Sequence, residues 1–75
     1  MAKLRILSGQ EVRRILEGHG FVEVRRRGSH FVMQKKVNNS TITVPIPDHK
    51  ELRPGTLRSI IRQSRLPREL FEIKR

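Results

Sequence analysis

Hydrophobic positions early in the chain recur with a helical period, and those that follow alternate as in strands. Val12, Ile15 and Leu16 fall on one side of a helix. In front of them, Ser8-Gly9-Gln10-Glu11 has the form of a capping box, in which the Ser8 hydroxyl accepts from the Glu11 backbone and the Glu11 carboxylate reaches back to Ser8. Leu7 and Val12 sit where a hydrophobic staple would join. Gly20, after His19, is a natural left-handed stop, so a first helix is predicted from about Gly9 to about Gly18.

FVEVRRRGSHFVMQKK follows, rich in β-branched and aromatic residues with a glycine near its middle, and it predicts a hairpin turning near Arg27-Gly28. Val37-Asn38-Asn39-Ser40 predicts a second turn, because asparagine tolerates positive φ. Thr41-Ile42-Thr43-Val44 alternates as a third strand, which Pro45 and Pro47 are expected to end. After a polar connection from Asp48 to Arg53, Pro54 suits the first position of a second helix carrying Leu57, Ile60 and Ile61 on one side. Arg53 is a poor cap for it. Pro67 can start a last turn that tucks Leu70 and Phe71 onto the core.

The predicted order is α-β-β-β-α, an α+β single domain spanning residues 1–75, with a three-stranded antiparallel sheet and both helices on one face. Alternation then assigns the faces. Val22, Val24, Phe31, Met33, Ile42 and Val44 are expected inward. Glu23, Arg25, Arg27, His30, Val32, Gln34, Thr41 and Thr43 are expected outward. A one-residue slip would bury Arg25 and His30 and expose Phe31 and Ile42, so this register is strongly preferred.

Composition adds charge to this outline. The 75 residues hold 17 Lys and Arg against 7 Asp and Glu, a net charge of +10. Arginine's planar fork suits phosphate, so nucleic acid is the expected partner, ahead of an acidic protein. No helix pairs a basic face with aromatic anchors, which argues against a membrane. With no cysteine there is no thiol nucleophile, disulfide or thiolate metal site, which fits the cytoplasm. The three histidines lack metal-ligand spacing, so neither a metal nor another cofactor is expected. Three phenylalanines with no Tyr or Trp provide no aromatic platform for stacking single-stranded bases.

The chemistry worth testing lies in RRRGSHFVMQKK, Arg25 to Lys36. Histidine is the usual proton-transfer side chain near neutral pH. In RNA cleavage a base takes the proton of the 2′-hydroxyl, that oxygen attacks the adjacent phosphorus, and the departing 5′-oxygen takes a proton. His30 is the candidate proton-transfer group. Arg25, Arg26, Arg27, Ser29, Lys35 and Lys36 are the candidates for holding the RNA backbone and stabilising developing negative charge. The second proton-transfer group is open between Lys35, Ser29, His49, a substrate group and water. His19, at a helix C-terminus, suits the helix dipole. A non-catalytic module that reads an RNA duplex by shape is the competing expectation for the same element order.

Three segments, SGQEVRRILEGHGF, RRRGSHFVM and VPIPDHKELRPGTLRSIIRQ, together resemble the HicA (YcfA-like) toxin family over nearly the whole chain. The resemblance implies a double-stranded-RNA-binding-domain-like fold and a ribosome-independent mRNA interferase, the toxin of a toxin–antitoxin pair. It implies that the histidine of Gly-Ser-His, His30, is the active-site residue. It also implies a HicB-type antitoxin that covers the basic face.

Overall fold

Every predicted element forms. The computed structural model describes residues 2–73. Its order is α1 (Gly9–Glu17), β1 (Val22–Arg27), β2 (His30–Val37), β3 (Ser40–Pro47) and α2 (Pro54–Ser64), closed by a 3-10 turn at Arg68–Phe71. The capping box is complete at α1: Glu11 N–H donates to Ser8 Oγ at 3.0 Å and Ser8 N–H to Glu11 Oε1 at 2.9 Å. Arg53 makes no side-chain cap at α2, as its chemistry predicts. That helix ends instead on a left-handed residue, Arg65 at φ 61°.

The sheet is antiparallel in the order β1-β2-β3, with β2 in the middle. Two-residue loops join its strands, Gly28-Ser29 with Gly28 at φ 57° and Asn38-Asn39 with Asn38 at φ 47°. One face carries Phe31 and Met33 from β2 with Ile42, Val44 and Ile46 from β3. It packs on Val12 and Leu16 of α1 and on Leu57, Ile60 and Ile61 of α2. Each such side chain contributes about 1.5–3 kcal/mol by leaving water. The architecture is an α+β double-stranded-RNA-binding-domain-like fold with both helices on this buried face. The segment around Leu4 pairs antiparallel with the segment around Glu72. Arg5 N–H donates to the Phe71 carbonyl and Ile73 N–H to that of Lys3, both at 2.8 Å, and Phe71 is fully buried.

Two expectations need correction. Val22 and Val24 do not point inward: they are 59% and 44% exposed. Glu23, expected outward, instead pairs opposite the buried Met33 and meets Arg13 of α1. The cause is a bulge between Glu23 and Arg25. One extra residue there reverses the parity of everything before it, while Arg25 and Arg27 keep their outward positions. Phe21, just ahead of the strand, takes the core position that Val22 and Val24 were expected to fill. The second correction concerns β3, which continues through both prolines to Pro47. Because β3 is an edge strand, prolines two residues apart can both turn their donor-less nitrogens away from β2.

Gly9 fixes where α1 meets the end of β3. Its N–H donates to the His49 carbonyl at 2.9 Å, and a Cβ there would stand 2.0 Å from the Pro47 carbonyl oxygen. Backbone on both sides cannot yield cheaply. Gly9→Ala is expected to destabilise the fold by about 1–3 kcal/mol, measured by urea denaturation; an unchanged midpoint would contradict the close approach. The cap gives a pH-dependent prediction. The Ser8 backbone N–H, then its hydroxyl, hold the Glu11 carboxyl below its ordinary value of 4.5. A folded-state pKa below the unfolded one stabilises fully above that ordinary value and stops doing so as pH falls through the folded one. The melting-temperature advantage of the parent over Glu11→Gln should therefore be present at neutral pH and shrink below about pH 4.5. An advantage independent of pH would show that the carboxylate is not the capping species.

Candidate nucleic-acid interface and active site

On the face turned away from the helices, side chains line up in rungs across the three strands. The first rung is Arg27, His30 and Pro47; the second is Arg25, Val32 and Pro45. Beyond them come Val22, Gln34 and Thr43, then Lys36 with Thr41. His30 is exposed, and its neighbour Phe31 is only 1% exposed on the opposite face. The imidazole thus stands in the first rung of the middle strand. An arginine lies beside it on β1, a second arginine in the next rung, and a proline on β3.

Ion pairing separates the arginines by role. Among the described residues, the salt bridges involve Arg13 with Glu23, Arg26 with Asp48, and Arg68 with Glu72. Arg25 and Arg27 enter none of these and stand exposed beside His30. Arg26, one residue out of phase, faces the helix side. Its guanidinium carbon lies 4.5 Å from the centre of the Phe31 ring, and that of Arg13 lies 5.1 Å from it. Asp48 joins this arrangement to the loop before His30. Its carboxylate takes the Arg26 guanidinium, and its backbone N–H donates to the Ser29 carbonyl at 2.6 Å. Asp48, directly after β3, therefore ties both β1 and the loop that leads into β2.

The remaining candidates divide between the faces. Lys36 is exposed in the outward row, opposite Thr41. Lys35 pairs with Ile42 on the helix face, and its amine lies 5.9 Å from the centre of the Phe21 ring. Ser29 sits in the hairpin loop directly before His30. The structure brings Arg25, Arg27, His30 and Lys36 onto one face and leaves Arg26 and Lys35 on the other. His19 and His49 are both exposed, and among the described residues no three His, Asp or Glu side chains converge as a metal-binding group.

Sequence reasoning did not anticipate a groove beside His30. Helix α2 lies along β3 so that Thr56, Ser59 and Gln63 on its flank face Pro45, Pro47 and His30 across an open groove of about 350 Å³. The signal was present: these three polar residues recur at helical spacing on the side of α2 beside Leu57, Ile60 and Ile61.

A basic α+β domain with this sheet, one face packed on both helices and the other presenting a histidine beside two arginines outside the ion pairs of the described residues, is of the double-stranded-RNA-binding-domain-like class. Residues 9–66 match the family described as the HicA toxin of bacterial toxin–antitoxin systems, and the chain belongs to that family. Membership makes it the toxin component of such a pair and implies an antitoxin partner. A search of curated proteins found no match. Among the described residues no helix is long and apolar enough to cross a membrane.

The placement of Arg26 predicts a structural cost for its loss. Cation–π contact at a half-exposed site and a surface ion pair each contribute up to about 1 kcal/mol. Arg26→Ala should lower stability by about 1–2 kcal/mol, whereas Arg27→Ala should leave the denaturation midpoint nearly unchanged. Equal effects of the two substitutions would contradict the division between the faces.

Proposed function

We propose that the chain is an endoribonuclease toxin that cleaves mRNA independently of the ribosome. In this reading His30 moves a proton at the scissile phosphodiester, and Arg25 and Arg27 hold the phosphates on either side of it. The observation that carries the proposal is the first rung of the sheet, where exposed His30 stands beside exposed Arg27 with Arg25 one rung away. Lys36 extends the same charged row. Arg26 and Lys35 act from the other face, Arg26 by holding Phe31 and the loop that positions His30.

The reaction needs one bond made and one broken. His30 takes the proton of the ribose 2′-hydroxyl as that oxygen attacks the phosphorus. The 5′-oxygen leaves with a proton from a second donor, giving a 2′,3′-cyclic phosphate and a free 5′-hydroxyl. Negative charge on the phosphoryl oxygens grows towards the transition state, where the guanidinium groups of Arg25 and Arg27 stabilise it most. Lys35 is a poor second donor because its amine lies over Phe21 on the far face. Ser29, His49, water or a substrate group fill that role.

The partner follows from the same surface. A HicB-type antitoxin that covers the outward face would occupy the arginines and exclude RNA from His30. Binding only the folded toxin, it would also stabilise this short domain by mass action.

The decisive assay incubates purified protein with RNA in the presence of a chelator, because the proposed steps call on no metal. The parent should cleave, and His30→Ala should cleave about 10²–10⁴-fold more slowly while keeping its affinity for a non-cleavable RNA. Arg27→Ala should weaken binding and make it less salt-dependent by about 0.7 power, the share of one phosphate on a single strand. Cleavage by His30→Ala at the parent rate would reject the assignment. Binding without cleavage by the parent would favour a non-catalytic RNA-binding module.

A further inference from the structure

Resting on the RNA-cleaving reading, we propose that the groove between β3 and α2 is a nucleobase subsite that selects the nucleotide beside the scissile phosphate. The groove begins at His30 and runs over Pro45 and Pro47 to the flank of α2 formed by Thr56, Ser59 and Gln63. Its position relative to the charge is what first marks it out. Along each of the first two rungs, the β1 position is an arginine, the β2 position is His30 or Val32, and the β3 position is a proline. Cationic side chains therefore lie on one side of the histidine and a neutral groove on the other. A nucleotide chain has the same division, with a charged phosphate on one side of the ribose and an uncharged base on the other. Phosphate on Arg25 and Arg27, with the 2′-oxygen at His30, directs the base towards the prolines.

The lining suits a base and suits little else an RNA carries. Among the described residues no Lys, Arg, Asp or Glu lines the groove, in a chain of net charge +10, so phosphate finds no counter-charge among the lining side chains. Its volume of about 350 Å³ lies at the small end of the range for small-molecule sites. The outward rings of Pro45 and Pro47 supply apolar surface for a base face, a role for which the chain has no exposed aromatic ring. Phe21, Phe31 and Phe71 are all in the core.

Hydrogen-bonding capacity is concentrated on the α2 wall. Gln63 Nε2 donates to Ser59 Oγ at 3.0 Å, which orients the amide along the helix. The second N–H of that amide, its carbonyl oxygen and the Thr56 hydroxyl make no side-chain hydrogen bond to other described residues. A glutamine amide offering a donor and an acceptor together is the side-chain group that pairs with the edge of a base. RNA is read in this way where bases are unpaired and splayed out. The subsite therefore takes a single-stranded nucleotide, and Gln63 is its specificity-determining residue.

The test separates this inference from the reading beneath it. Isotope-labelled parent protein is titrated with 2′-O-methylated tetranucleotides of each base and with an abasic tetramer of the same phosphate number. Signals of Arg25, Arg27 and their neighbours should move with all of them. The Gln63 side-chain amide and the Ser59 backbone amide should move with at least one base-bearing oligomer and not with the abasic one. In cleavage of a mixed-sequence RNA, Gln63→Ala, at an exposed position, should change the ratio of rates between favoured and disfavoured sites about fivefold or more. Sheet signals that move while Gln63 and Ser59 stay still with every base would overturn the subsite and leave the RNA-cleaving reading standing. No movement anywhere would overturn both. An unchanged site preference in Gln63→Ala, accompanied by weaker antitoxin binding, would make the groove a protein-docking pocket and overturn the nucleobase assignment.

Discussion

The alternation of the middle strand is the constraint on which the remaining structure depends. Phe31 and Met33 must face the helices, because a short chain has few other large apolar groups with which to build a core. With those two fixed inward, His30 is fixed outward, and pairing on both sides then chooses its neighbours. A shift of one residue would exchange a buried phenylalanine for a buried histidine, at the cost of both the apolar burial and an unpaired polar ring. Core packing and the candidate site are two consequences of one register.

Charge is distributed by the same alternation. Three consecutive arginines in β1 divide two to one: Arg25 and Arg27 look outward, and Arg26 folds over Phe31 towards Asp48. The triple arginine is therefore not a uniform basic patch. Its middle member helps to hold the loop before His30, while the outer two remain available to a polyanion. Such a face is self-repelling when bare, which fits a family whose members are paired with an antitoxin.

The elements and their order were legible in the sequence because several local signals agreed at each point. The capping box at Ser8, the left-handed glycines and Asn38, and the leading proline at Pro54 each marked a boundary chemically. The outward placement of His30 was legible for the same reason, since Phe31, Met33, Ile42 and Val44 allow only one parity. Strand β1 was less legible. Nothing in Val22-Glu23-Val24 announces a bulge, and the valines read as core until tertiary structure supplies Phe21 in their place and Arg13 as a partner for Glu23. The continuation of β3 through Pro45 and Pro47 depends on its being an edge, a property of the assembled sheet rather than of the segment. The groove against α2 depends on how a helix lies along that edge, which no local pattern encodes.

The central claim is that the ring of residue 30 stands free on the bare face and that RNA lies over it. Histidine acylation by diethyl pyrocarbonate, located by mass spectrometry, tests both halves at once, with exposed His19 at the end of α1 as an internal reference. The account predicts that His30 reacts at a rate comparable to His19 in the free protein and is selectively protected when a non-cleavable RNA is added. An unreactive His30 in the free protein, or a reactivity that RNA leaves unchanged, would contradict it.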